Sequence, residues 1–239
     1  MEKIKQLQQM IDQSERIVFF GGAGVSTESG IPDFRSVDGL YHMQYEEKPE
    51  TILSRSYFDL HPDKFFRFYR NKTLFPNAMP NAAHLFLTKL EKAGKLSAVV
   101  TQNIDGLHQK AGTENVLELH GSTLRNYCMN CKKSYPLEAI LTDEAVPHCA
   151  CGGIINPDVV LYEEPLHQGT IRRAVNAISA ADLLIIGGTS LVVYPAAGLI
   201  DYFAGKHLVL INKSPTTRDE LADLCITEPI GEVFSKLTV

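Results

Sequence analysis

The 239-residue chain has no tryptophan. It also has no uninterrupted apolar run of about 18 residues, the length a membrane-spanning helix requires. The opening segment MEKIKQLQQMIDQSE lacks the continuous apolar stretch of a secretory signal and is read as none. Positive charge is not in surplus: 23 Lys and Arg stand against 28 Asp and Glu, a formal net charge of −5. That balance offers no electrostatic footing for nucleic acid, so none is expected as a partner. Dispersed cysteine is missing too. Of five cysteines, four lie between Cys128 and Cys151, and Cys225 stands alone. Without a secretory signal, such clustering favours a metal site in a reducing, cytoplasmic setting over a disulfide framework.

What remains is an ordinary globular composition, 44% hydrophobic and 21% charged. Ile4, Leu7, Met10 and Ile11 recur at helical spacing, which predicts an amphipathic helix over 2–13. RIVFF (16–20), SAVVT (97–101), DLLIIGG (182–188) and HLVLIN (207–212) are short continuous apolar runs, the pattern of strands buried on both faces. Helical patterns over 80–94, 170–181 and 195–205 alternate with them. Strand and helix in alternation predict an α/β fold with a doubly wound parallel, Rossmann-like sheet. Residues 38–79, aromatic-rich with short helical pieces, and residues 121–157, with the clustered cysteines, break the alternation. They are expected to be insertions that together form a smaller domain, a helical segment plus a zinc ribbon. The large domain then comprises 1–37, 80–120 and 158–239, with a cleft between the two.

Chemistry-bearing residues gather where the apolar runs end. GGAGVST places Gly22, Ala23 and Gly24 directly after a strand. A chain without Cβ atoms can turn tightly there and bring its N–H groups to a pyrophosphate. The dinucleotide fingerprint is incomplete, because its third glycine is replaced by Thr27 and no ribose-binding acid follows at the usual distance. An ordinary hydride-transfer dehydrogenase is therefore disfavoured, and a plain strand-to-helix turn stays open. TQNIDGLH sets Gln102, Asn103 and Asp105 at the end of a second run, where ligands bind in open sheets, although Asp105 could equally cap the next helix. LELHGS puts His120 at the end of a third strand, as a candidate general base. His84 and His108, within helical patterns, read as packing residues. Gly187, Gly188, Thr189 and Ser190, and then Asn212 and Lys213, end the last two runs. Cys128-x-x-Cys131 and Cys149-x-Cys151, seventeen residues apart, point to one structural four-thiolate zinc site, with His148 as an adjacent alternative ligand.

Taken in order, these motifs resemble the sirtuin family of NAD-dependent protein-lysine deacylases. The resemblance runs through Gly22-Ala23-Gly24-Val25-Ser26, Ser29-Gly30-Ile31-Pro32-Asp33-Phe34-Arg35, Thr101 to His108, His120-Gly121, the four cysteines and Gly188-Thr189-Ser190-Leu191. It covers about residues 15 to 235, and the chain has the length of a compact bacterial-type member. It implies that NAD is a co-substrate lying across the strand ends with its pyrophosphate on Gly22–Gly24. Asp105 and the Ile104 backbone would hold the nicotinamide carboxamide. Asn103 and Ser26 would order the ribose and a water, and His120 would act as base on the ribose hydroxyls. Asp33, Phe34 and Arg35 would cover the reacting carbon as a mobile loop ordered by NAD. Thr27, Ser190, Asn212, Lys213 and Ile230 complete the implied cofactor set. The implied products are free lysine, nicotinamide and O-acyl-ADP-ribose. Transfer of ADP-ribose to protein is the alternative activity, and a non-enzymatic NAD- or zinc-binding module the other.

For the substrate, the resemblance implies an acyl-lysine protein or peptide held as an added strand between Val160-Leu161-Tyr162 and Val192-Val193. Many sirtuins carry Phe-Gly-Glu where this chain has Tyr162-Glu163-Glu164, and the additional acid is expected to favour basic peptides. Desuccinylating relatives read the acid with Tyr-x-x-Arg. Here the pair is Tyr69 and Lys72, without the guanidinium fork, so a neutral acyl group such as acetyl is expected. A monomer is expected.

Overall fold

The computed structural model describes residues 2–33 and 47–239. Its strands, in chain order, are β1 (Ile17–Gly21), β2 (Leu96–Thr101), β3 (Val116–Glu118), β4 (Gly121–Cys128), β5 (Ser134–Pro136), β6 (Ile155–Val159), β7 (Leu183–Gly187), β8 (His207–Ile211) and β9 (Leu224–Ile226). Its α-helices are α1 (Glu2–Gln13), α2 (Pro49–Ile52), α3 (Arg55–Leu60), α4 (Pro62–Lys72), α5 (Ala82–Lys92), α6 (Leu107–Ala111), α7 (Gln168–Ala180) and α8 (Ile230–Phe234). Six strands form one parallel sheet in the order β3-β2-β1-β7-β8-β9. With the strands between β3 and β7 set aside, this is the 3-2-1-4-5-6 order of doubly wound dinucleotide-binding sheets.

Alternation along the strands sorts the core into two layers. Ile17, Phe19, Val99, Ile185 and Val209 face a cluster completed by Leu7, Met10 and Ile11 of α1, Phe86, Leu87 and Leu90 of α5, and Val233 and Phe234 of α8. Val18, Phe20, Val100, Ile186 and Leu210 face the other side, where Ala174 and Ile178 of α7 and the segment Ala196–Ile200 cover them. Both faces are therefore dry, and β1 and β7 are buried at every position. Continuous apolar runs, rather than alternating ones, are what such strands require.

The structure departs from the expected elements at three places. Residues Ala196–Tyr202 form a 3-10 helix where an α-helix was expected. Gly198 within the segment weakens α-helix formation. The strand expected through LELHGS ends at Glu118, so His120 sits in the turn that follows. β9 and α8 escape the sequence pattern because segments of three and five residues are too short to display a period.

The second sheet is antiparallel, in the order β5-β4-β6. Phe58, Phe65, Phe66, Tyr69 and Leu74 from the helical stretch share one cluster with Cys128, Leu137, Ile140, Cys149, Ile155 and Leu161. The Phe58, Phe65 and Phe66 rings meet edge to face at 4.9–5.8 Å, a favourable arrangement for aromatic quadrupoles.

Candidate active site and metal centre

β1 and β7 are adjacent in the sheet while their crossovers run to opposite sides, which makes their carboxyl ends the topological switch point. The two loops that leave there touch. Gly24 N–H donates to the Gly188 carbonyl at 2.8 Å, and Gly22 N–H to the Gly187 carbonyl at 3.2 Å. A Cβ at Gly24 would lie 2.8 Å from the Gly188 Cα, and Gly188 itself has φ +59°. These glycines are needed for loop-on-loop contact. In this structure the Gly22 and Gly24 amides, expected to face an anion, are engaged by the carbonyls of Gly187 and Gly188.

Among the described residues 22–33 the chain forms no α-helix. Two 3-10 turns, Ala23–Val25 and Thr27–Ser29, end at Gly30 with φ 82°. The turns are tied from outside: Asn81 Nδ2 donates to the Val25 carbonyl at 2.8 Å and to Ser29 Oγ at 3.0 Å. The Glu28 carboxylate accepts Gly231 N–H at 2.6 Å, and Thr27 Oγ1 donates to the Gly24 carbonyl at 3.0 Å. Asn81 and Glu28 were not foreseen. PNAA signals a helix start, but nothing in the sequence shows where the cap's amide reaches. Asp33 is half-buried and ends this described segment; Phe34 and Arg35 lie outside the described residues.

The carboxyl end of β2 delivers the polar cluster. Ser26 Oγ donates to Asp105 Oδ2 at 2.7 Å and accepts from Asn103 Nδ2 at 3.1 Å. Asp105 Oδ1 also accepts Leu107 N–H at 2.9 Å, so the carboxylate caps α6 and faces the cluster at once. Burial raises the Asp105 pKa, and these two hydrogen bonds pull it back down. Gln102 Nε2 donates to Thr189 Oγ1 at 3.1 Å, joining the β2 and β7 ends. The Ile104 carbonyl accepts both the N–H and the Oγ of Thr123, at 2.9 and 3.0 Å.

His120 Nδ1 lies 2.9 Å from the Gln102 carbonyl. A carbonyl can only accept, so Nδ1 carries the proton and Nε2 is the basic nitrogen. Burial lowers the ring's pKa, against the opposing pull of that carbonyl, and leaves it neutral at physiological pH. The His120 carbonyl in turn accepts Val160 N–H at 2.9 Å, which sets the end of β6 against the histidine.

The remaining candidates divide. Ser190 and Asn212 are half-buried and Lys213 is exposed, at the ends of β7 and β8. Asn212 Nδ2 donates to the Ser214 carbonyl at 2.7 Å. Ile230, expected at the adenine, is 4% exposed and packs in the core against Gly187. Val160 and Val193 are half-buried, Leu161 is buried, and Tyr162 and Val192 are exposed. Tyr69, expected at the acyl group, is 1% exposed and stacked on Phe65 at 5.4 Å, with its hydroxyl buried and without a hydrogen-bond partner among the described residues. Lys72 is half-buried at the end of α4.

All five cysteines are free thiols. The Sγ atoms of Cys128, Cys131, Cys149 and Cys151 lie within 4.8 Å of one another, with Cys128–Cys151 at 3.5 Å and Cys131–Cys149 at 3.6 Å. Tetrahedral zinc with Zn–S bonds of about 2.3 Å sets sulfurs about 3.8 Å apart. The tetrad is thus positioned to bind one zinc ion, and exposed His148 stands outside it. Tyr135 donates its hydroxyl to Cys149 Sγ at 3.0 Å, the outer-sphere kind of contact that orients a metal ligand. Four protein ligands leave no open position for chemistry.

Comparison with known proteins agrees with this arrangement. The profile of the Sir2 family matches residues 22–195. An NAD-dependent protein deacetylase from Clostridium perfringens is 60% identical over 240 residues, covering 99% of this chain and 98% of its own length. One from Clostridium acetobutylicum is 58% identical, covering 98% of this chain and 97% of its own. Among solved structures, Sir2 with a deacetylated p53 peptide and 3′-O-acetyl-ADP-ribose superposes with a TM-score of 0.90 at 39% identity, covering 97% and 96% of the two chains. A complex of Sir2, p53 peptide and NAD superposes with a TM-score of 0.87, also at 39% identity, covering 98% and 96%.

Proposed function

The chain belongs to the Sir2 family, and from that premise we propose how its own residues carry out NAD-dependent removal of acetyl groups from lysine. The protein is an NAD-consuming deacetylase that passes the acetyl group of an acetyl-lysine to ADP-ribose. The observation that carries this reading is a set of groups gathered on one edge of the sheet. Ser26, Asn103 and Asp105 are joined by hydrogen bonds, beside an imidazole whose Nδ1 is engaged and whose Nε2 is left as a base. Small and hydrogen-bonding residues line the ends of β1, β2, β7 and β8 in the crevice where dinucleotides lie, which fits NAD. Bound there, NAD supplies a glycosidic bond whose cleavage releases nicotinamide and leaves a ribose carbon able to take the acetyl oxygen.

The protein's part is orientation and charge. Asp105 places a carboxyl group where positive charge develops, and the bonds from Ser26 and the Leu107 amide favour its charged form against the opposing effect of burial. Asn103 is fixed through Ser26 and through its own N–H to Thr101 Oγ1 at 3.0 Å. His120 takes a proton from a ribose hydroxyl at Nε2. The peptide enters beside Val160–Tyr162 and Val192–Val193, with Lys72 near the acyl end. Without a guanidinium there, acetyl is preferred over succinyl. Transfer of ADP-ribose to protein is the disfavoured alternative, since the curated relatives are named deacetylases. Four clustered free thiols and the charge of −5 support a cytoplasmic protein that binds no nucleic acid. Among the described residues no helix is long and apolar enough to cross a membrane.

Mass spectrometry of the products from NAD and paired acetyl and succinyl peptides tests this. Free-lysine peptide, nicotinamide and O-acetyl-ADP-ribose should appear in equal amounts, and vanish in His120→Ala. ADP-ribose attached to protein would overturn the reading, and a succinyl preference would overturn the acyl assignment.

A further inference from the structure

Leu161, Tyr162, Glu163 and Glu164 close a tight turn, with Glu164 N–H donating to the Leu161 carbonyl at 3.1 Å. Glu163, its third residue, has φ 76°, while Tyr162 is outside the left-handed region. This is the pattern of a type II turn, whose third position suits glycine, so a glutamate there is strained and persists only where its surroundings hold it. What holds it is α3. The Glu163 carboxylate accepts Ser56 N–H and Ser56 Oγ–H, both at 2.9 Å. Beside it, Arg55 N–H donates to the Tyr162 carbonyl at 3.1 Å, and Tyr162 N–H to the Leu53 carbonyl at 3.0 Å. The Arg55 guanidinium grips Glu164 at 2.7 Å. The carboxylate expected from the sequence to attract basic peptides is thus already engaged within the protein.

We propose that Glu163 is a positioning residue: it latches the 160–162 segment to the first turn of α3 and so sets how tightly an acyl-lysine peptide is held. The proposal rests on the deacetylase reading, in which that segment receives the peptide. A latch made of hydrogen bonds differs from an attracting charge. Glutamine can accept from the Ser56 amide and donate to its hydroxyl, so Glu163→Gln should keep the latch while Glu163→Ala loses it.

The experiment compares both variants with the wild type on a neutral and a Lys/Arg-rich acetyl-lysine peptide, by steady-state kinetics at saturating NAD and by calorimetric titration. Glu163→Ala should raise peptide KM and Kd about five- to tenfold, equally for both peptides, as expected for one or two lost hydrogen bonds. Its kcat and its KM for NAD should stay at the wild-type level, and Glu163→Gln should resemble the wild type throughout. Unchanged peptide affinity in Glu163→Ala overturns the proposal. So does a glutamine variant as weak as the alanine one, with the loss confined to the basic peptide. Absence of NAD-dependent deacetylation in the wild type would instead defeat the parent reading. Hydrogen exchange at the Tyr162 amide, accelerated in Glu163→Ala and not in Glu163→Gln, then still decides whether the latch exists.

Discussion

One imidazole nitrogen of His120 is held by a carbonyl and the other is the base, and this fixes the direction of the pH response. With the pKa lowered by burial, protonation removes the base only below the ordinary histidine value of about 6.5. A pH profile of kcat/KM for the acetyl peptide should therefore show its acid limb below that value, with no loss of base up to pH 8. A limb attributable to His120 above pH 7 would contradict the assignment. Replacing His120 by alanine should lower kcat at least about a hundredfold. Ser26 is the second residue whose role is testable. Its hydroxyl serves both Asn103 and Asp105, so Ser26→Ala leaves Asp105 with one fewer bond favouring its charge. The Asp105 pKa should rise further and kcat/KM for NAD should fall about tenfold, measurable with the peptide saturating.

The elements behave as units for reasons visible in their contacts. A Cβ on Gly188 would strike the Val25 amide nitrogen of the facing loop, at a φ of +59°. Gly188→Ala should therefore destabilise the fold by about 2 kcal/mol in urea unfolding and depress NAD affinity with it. Cys128 and Cys149 belong to the same apolar cluster as Phe58, Phe65 and Phe66. Removing zinc should therefore disorder the β4–β6 sheet and the aromatic helices together. Titration with a chelator should release one zinc per chain in step with loss of near-ultraviolet circular dichroism. Loss of the metal without that change would contradict the shared core. The same elements show what a sequence can disclose. β1, β2, β7 and β8 are legible because strands buried on both faces need unbroken apolar runs. The zinc tetrad is legible because chelation demands close pairs. The Gln102–His120 bond, the Asn81 anchor and the Glu163 latch are not, since each joins residues that only the folded chain brings together. The burial of Ile230 and Tyr69 is hidden for a related reason: side chains of their kind suit a ligand or a core, and the sequence does not show how they pack.

At the scale of the whole molecule, the layer between α5 and α6 contains two buried imidazoles. The His84 and His108 rings are 4.7 Å apart, and His84 Nε2 and both His108 nitrogens have no hydrogen-bond partner among the described residues. Burial pushes the His84 pKa down to about 4 and lowers that of His108 as well. The unfolded chain takes up these protons near pH 6.5 and the folded chain does not. Stability is therefore complete above that value and declines as pH falls toward 4, by about 1.4 kcal/mol per pH unit for each histidine. Urea unfolding at pH 7.5 and pH 5.5 should show this loss, and His84→Gln should lessen it. An unchanged midpoint would contradict it.

The aromatic helices leave the sheet between β1 and β2, and the cysteine-bearing strands leave it between β3 and β7, yet both end in one cluster. That cluster must wait for two excursions, far apart in sequence, to meet. The parallel sheet also depends on distant pairings, but its central strands need no metal. Contacts closing long loops form late, because chain entropy is lost before they return anything. Refolding should thus run in two stages, first the sheet with its nucleotide-facing edge and then the aromatic and cysteine layer. The rate of the second stage should depend on the concentration of free zinc, which makes metal supply a determinant of how fast a newly made chain becomes active.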